Sequence, residues 1–194
     1  MMLLLAAVMV ALDQLSKAWV VANLRRDGSE IPLALGFRIT HTRNGGAAFG
    51  MLQDLELTVA GVTIDGTVLL GLLSAAVSAF LVYYLVRNRR RLAPLPGVAT
   101  ALVLAGAAGN MIDRLRLGYV IDFIHFKVGT FDFPVFNLAD SCVVVGAGLL
   151  LLASLGSSSQ EGHTHVKRAP APRDHRLDEA PEPPPLGGRE ADGA

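Results

Sequence analysis

Asn110-Met111-Ile112-Asp113-Arg114 and Asn137-Leu138-Ala139-Asp140 stand where two neighbouring apolar stretches end and begin. In each unit the Asp follows the Asn by three residues, so on a helix the two side chains share a face. Each unit joins a run of apolar residues long enough to cross a bilayer. A carboxylate at membrane depth is costly, so its presence there points to function. Two that meet make an aspartic dyad, the machinery of a protease working at the membrane.

Outward from these units the chain divides sharply. Of its 194 residues 52% are hydrophobic, but the apolar residues crowd before Leu155, and from Gly156 the sequence turns to Ser, Pro, Glu, Arg and Gly. That composition cannot bury a core, so 1–156 reads as the membrane domain and 157–194 as a disordered tail. A spanning helix needs about 20 apolar residues. Four segments qualify, near 2–21, 67–86, 95–112 and 136–155. The first is not a cleaved signal peptide: it lacks a basic start, and Asp13, Gln14 and Lys17 interrupt it. The fold class is therefore membrane all-α, a four-transmembrane-helix bundle. Zero net charge gives no reason for nucleic-acid binding, and the single cysteine, Cys142, excludes an internal disulfide.

Orientation follows from Arg87-Asn88-Arg89-Arg90-Arg91, the densest basic cluster, between spans two and three. Short basic loops stay in the cytoplasm, which puts both termini there too. Segments 23–66 and 113–135 then face outward, although Arg25, Arg26, Arg38, Arg43, Arg114, Arg116 and Lys127 make the charge bias imperfect. Leu35, Phe37 and Ile39 alternate with Gly36, Arg38 and Thr40, a strand pattern, and 120–126 and 130–133 read likewise. A small extracytoplasmic β-sheet is expected from them, with 51–62 lying along the interface.

Span three enters near Leu95, so Asp113 lies about 27 Å further on, near the far boundary of a core about 30 Å thick. Span four returns from Phe136, which sets Asp140 about one turn inside the same boundary. Gly106, Gly109, Gly146 and Gly148 would let the two helices approach closely. Two carboxylates sharing a site hold one proton between them: the ionised member takes a proton from water, and the protonated one polarises the scissile carbonyl. The alternative for Asp113 and Asp140 is a structural pairing with Arg114. Asn110 and Asn137 either orient the carboxylates or water, or serve as helix-terminal hydrogen bonders. Asp13 and Lys17, spaced i and i+4, can pair, and either tie span one to its neighbours or support the site. In Asn44-Gly45-Gly46-Ala47-Ala48-Phe49-Gly50 the glycines permit a tight turn and Asn44 a bond to a peptide, unless the run is an ordinary turn.

Five blocks in order resemble the lipoprotein signal peptidase family, signal peptidase II. They are Asp13-Gln14-x-Ser16-Lys17, Asn44-x-Gly46-x-Ala48-Phe49-Gly50, Gly106-Ala107-x-Gly109-Asn110-x-x-Asp113-Arg114, Val120-x-Asp122-Phe123 and Phe136-Asn137-x-Ala139-Asp140. The resemblance implies that Asp113 and Asp140 are the catalytic dyad. It implies that Asn44, Asn110, Arg114 and Asn137, with Asp13, Lys17 and Asp122, support dyad or substrate. It further implies a prolipoprotein substrate whose cysteine carries diacylglycerol, cleavage just before that cysteine, and inhibition by globomycin. The enzyme would act as a monomer in the bacterial cytoplasmic (inner) membrane, its site near the outer face and membrane lipid around it.

Two other classes fit less well. A proton or ion relay would place ionisable groups at several depths, whereas the inner halves of these spans have almost none. A non-catalytic assembly factor would make no use of the paired carboxylates. No cofactor is expected, and His163, His165 and His175 lie in the tail without the ligand set a metal needs.

Overall fold

The computed structural model describes residues 1–26, 28–46, 56–59 and 62–164, the backbone alone at 56–59, 62–64 and 156–164. Four helices dominate: α1 (Met2–Asn23), α2 (Gly66–Asn88), α3 (Pro94–Leu117) and α4 (Leu138–Thr164). Each is long and apolar enough to cross a membrane, α4 through its stretch Leu138–Leu155. Residues 165–194 of the expected tail lie outside the described residues.

Local chemistry sets the helix ends. Asp65 caps α2 by accepting a 2.7 Å hydrogen bond from the Val68 amide. Pro94 occupies the first turn of α3, where a missing N–H costs nothing. Gly118 ends the same helix with φ of 73°, a left-handed conformation that glycine adopts without strain. The expected third span stopped at 112, because Asp113, Arg114 and Arg116 close the apolar run. The helix nonetheless continues to Leu117, so Asp113 lies a full turn inside it rather than at its end.

Packing is inverted relative to a water-soluble bundle. Leu73, Phe80, Tyr83, Val144, Leu151 and Leu152 point outward, while Asp13, Lys17, Ser78, Thr100 and Asp113 are buried. One apolar cluster joins α1, α2 and α3 through Ala6, Leu85, Ala101, Leu104 and Ala105. Helix α3 meets α4 through glycines. A Cβ on Gly106 would strike the Ala139 carbonyl and Val143, and one on Gly146 would lie 2.7 Å from the Ala99 carbonyl. Gly148 faces open space, so it is not part of this seam.

A four-stranded antiparallel sheet lies at the end of the bundle where α1 and α3 finish and α4 begins. Its strands are β1 (Ile31–Pro32), β2 (Phe37–Asn44), β5 (Val120–Val128) and β6 (Phe131–Phe136), in the order β1-β2-β5-β6. Pro134 sits in the edge strand, where no inner ladder needs its missing donor. The central pair runs from Phe37 opposite Phe126 to Asn44 opposite Val120, with an irregularity between Ile39 and Thr42. Val20 of α1 and Leu24, just past its end, pack on Ile121 and Phe123, fixing the sheet to the bundle. Leu35, expected within a strand, instead lies in a tight turn at Ala34–Gly36 with φ of 60°. The interfacial segment expected over 51–62 is strand where it is described: β3 (Glu56–Val59) pairs with β4 (Val62–Asp65). Residues 47–55, which include the end of the glycine-rich block, lie outside the described residues.

Candidate active site

Helix α1 supplies the foundation. Asp13 accepts the Ala139 amide at 3.0 Å, the first tie between α1 and the start of α4. Lys17, one turn on, is 1% exposed and lies 2.9 Å from both Asp13 and Asp113. A buried ammonium needs compensation from both sides, and these two carboxylates supply it. Asp113 also accepts Gln14 Nε2 at 3.0 Å and the Ile121 amide at 3.1 Å. Its oxygens are thus committed to α1 and to the start of β5.

Lys17 also fixes an amide. Its Nζ donates to Asn110 Oδ1 at 3.2 Å, and an ammonium offers no acceptor. Asn110 must therefore present its Nδ2 elsewhere, and it donates to Asp140 Oδ1 at 2.7 Å. Asn137 Nδ2 adds a bond of 3.1 Å to the same Asn110 oxygen.

Asn137 is fully buried and joins everything else. Its Oδ1 accepts the Asp140 amide at 2.9 Å, while Asp140 Oδ2 accepts the Asn137 amide at 3.2 Å. This reciprocal arrangement is a capping box that starts α4. The Asn-x-x-Asp spacing here marks a helix start, whereas in Asn110-x-x-Asp113 both members lie within α3. Asn137 Nδ2 also donates to Asp122 Oδ1 at 2.7 Å. Asp122 Oδ2 in turn accepts Asn44 Nδ2 at 3.0 Å.

Above this network lies a cavity of about 550 Å³. Asn44, Asn110, Arg114, Asp122 and Asp140 form its polar end; Phe133, Pro134, Val135 and Phe136 of β6 and Val144 and Val145 of α4 form an apolar wall. Among the described residues, the carboxylates that face the cavity are those of Asp122 and Asp140. Asp13, Lys17 and Asp113 lie behind them and do not line it. Burial pushes the Asp122 carboxyl up to about 6, and the Asp140 charge pushes it the same way, against the Asn44 and Asn137 hydrogen bonds. Four carboxyls, Asp13, Asp113, Asp122 and Asp140, face two cations, Lys17 and Arg114, so a proton resting on one of them lowers the imbalance. Arg114 Nη2 donates to the Gly46 carbonyl at 2.8 Å, while its buried Nε has no hydrogen-bond partner among the described residues.

The structure thus gathers Asp13, Lys17, Asn44, Asn110, Asp113, Arg114, Asp122, Asn137 and Asp140 into one network, with a different order of depth. Asp113, expected at the centre, is set back; Asp122, expected in support, is at the front. Two contributors went unnoticed. Gln14 stands beside Asp13 with no spacing that ties it to Asp113, and Thr67, whose hydroxyl donates to the Gly45 carbonyl at 2.6 Å, has no sequence signal beyond opening the second span.

A family model described as signal peptidase (SPase) II matches residues 5–156. A lipoprotein signal peptidase from Dehalococcoides mccartyi is 43% identical over 156 residues, 78% of this chain and 87% of the relative. Another, from Bacillus pumilus, is 40% identical over 164 residues, 83% of this chain and 97% of the relative. A bacterial membrane enzyme solved by the in meso method at 2.3 Å resolution superposes with a TM-score of 0.69 at 31% identity, covering 86% of this chain and 94% of its own.

Proposed function

The chain belongs to the signal peptidase II family, multi-pass membrane peptidases that process prolipoproteins, and from that premise we propose an aspartic mechanism centred on Asp122 and Asp140. The observation that carries it is that these two carboxyls, and no others among the described residues, face the cavity. The raised Asp122 carboxyl is suited to hold the proton that polarises the scissile carbonyl and to stabilise the tetrahedral oxyanion. Asp140, held by Asn110 and by the Asn137 amide, is suited to take a proton from the attacking water. The proton then passes to the leaving amine, and no residue is covalently modified. Asp113, which the family resemblance put in the dyad, acts in this reading through Lys17 and the Ile121 amide as a positioning group.

The substrate of this reading is a bacterial prolipoprotein with a diacylglyceryl cysteine, cut just before that cysteine. Its signal helix and acyl chains both live in lipid, and the apolar wall continues onto exposed Val144 and Val145, which supports lateral access from the bilayer. Globomycin would compete at the same carboxyls. The basic run 87–91 supports a cytoplasmic position for both termini, hence the sheet and site at the outer face of a bacterial inner membrane, with the enzyme monomeric. The tail 157–194 is dispensable for the chemistry in this reading: its composition cannot bury a core, and among the described residues those that line the cavity lie between Asn44 and Val145.

The test is a paired assay in matched detergent with lipid-modified and unmodified prolipoprotein, run on the full chain and on a chain ending at residue 156. Each buried methylene of the lipid anchor contributes about 0.8 kcal/mol to its partitioning. The modified substrate is therefore expected to be cut far faster, by both chains and in a globomycin-sensitive way. Equal rates on the two substrates would remove the lipid-reading part of the proposal, and no cleavage at all would remove the peptidase.

A further inference from the structure

We propose that Thr67, in the first turn of α2, is a positioning residue for the reaction, holding the Asn44–Asp122 hydrogen bond in place through the Gly45 carbonyl. This rests on the peptidase reading above, but the contact itself does not.

Three consecutive residues are each tied to a different element. Asn44 Nδ2 donates to Asp122 of β5 at 3.0 Å, Gly45 accepts the Thr67 hydroxyl of α2 at 2.6 Å, and Gly46 accepts Arg114 of α3 at 2.8 Å. The turn closes on itself as well, since the Gly46 amide donates to Asn44 Oδ1 at 3.0 Å. Two adjacent glycines have little conformational preference of their own, so an external tie decides where such a turn rests. Thr67 is buried and does not line the cavity. No cavity-lining residue comes from α2, and the hydroxyl is how that helix reaches the site. If the tie is lost, the turn slackens and Asn44 no longer holds Asp122 Oδ2 at its present distance. The Asn44 bond favours the ionised form of Asp122, so weakening it raises that carboxyl further.

Thr67→Val keeps the shape and deletes the donor; Thr67→Ser keeps the donor and deletes the methyl. With lipid-modified prolipoprotein, Thr67→Val is expected to lower kcat about fivefold to tenfold with KM within about twofold, and to move a limb of the kcat–pH profile upward. Thr67→Ser should match the parent in both. Amide hydrogen exchange at Gly46 should quicken in Thr67→Val and not in Thr67→Ser, a readout that needs no substrate. The proposal is overturned by parental kcat and pH profile in Thr67→Val, or by Thr67→Ser being as impaired as Thr67→Val. If Thr67→Val does not fold, an impaired Thr67→Ser still overturns it and an intact one upholds it. A parent chain that cuts nothing, with exchange at Gly46 still responding to Thr67→Val, faults the peptidase reading and leaves the tie standing.

Discussion

At the scale of single residues, two aspartates compete for one role. Asp113 and Asp122 both reach Asn110, Asn137 or Lys17, and both are almost completely buried. What separates them is what their oxygens touch. Asp113 faces an ammonium, an amide side chain and a backbone N–H; Asp122 faces two neutral amides and the cavity. Asp122→Asn should therefore lower turnover at least a thousandfold, about 4 kcal/mol of barrier, with little change in thermal stability. Asp113→Asn leaves Lys17 with one fewer counter-charge, and should lower thermal stability first and turnover only about tenfold. Cleavage rates and detergent-phase melting of the two variants decide between them; a dead, stable Asp113→Asn beside an active Asp122→Asn would return the dyad to Asp113. The sequence made Asp113 prominent because its spacing from Asn110 carries the helical period. Asp122 lies in an inner strand, on the same side as Val120 and Ile124 and between Ile121 and Phe123, where no spacing relates it to Asp140; only the fold brings the two together.

At the scale of elements, the α3–α4 seam and the sheet are held by different forces. In lipid there is no hydrophobic drive between helices, so the seam depends on close contact. Gly106→Ala and Gly146→Ala place a methyl against backbone carbonyls and should each destabilise by about 1–3 kcal/mol. Gly148→Ala meets nothing within 4 Å and should be neutral within about 0.5 kcal/mol, as thermal unfolding in detergent will read. The sequence grouped all of these glycines, because composition reveals that a seam exists but not which face of α4 forms it. The sheet is crossed instead by charge. His125 of β5 bonds Glu30, before β1, at 3.0 Å and Asp132 of β6 at 2.7 Å. Asp132 also meets Lys127, and Glu30 meets Arg38. Its hydrogen bond to Asp132, then that to Glu30, raises the His125 imidazole above its ordinary 6.5, while His125 and Lys127 hold Asp132 down at about 2. A raised folded-state value means that stabilisation is complete below about 6.5 and is lost as pH rises through the raised value. Compared with His125→Gln, the parent should melt higher near pH 5.5 and lose that advantage as pH rises through the raised His125 value. A constant gap across that range would show that the ring is only packing.

At the scale of the whole molecule, the spans were legible because a bilayer imposes a length that no other environment demands. The four-stranded sheet was legible from alternation. The β3–β4 hairpin carries the same signal, since Leu57, Val59, Val62 and Ile64 alternate with Glu56, Thr58, Thr63 and Asp65, but its strands are only four residues long and the mixed stretch 51–62 hides them. Depth within the site was not legible either. Span placement gave the level of each carboxylate along the membrane normal, but not which of them would turn toward Lys17. That information resides in α1, far away in sequence, through Asp13 on the Ala139 amide and Lys17 on Asn110. The box that starts α4 has a consequence for how such an enzyme is made. Asn137 and Asp140 bond each other where the fourth helix begins, and the same two side chains orient Asp122 and, in the mechanism proposed above, offer the reacting carboxylate. In that mechanism, nucleation of the last span and arming of the site are one event. A chain still emerging from the translocon would then carry no competent blade until its final span is seated.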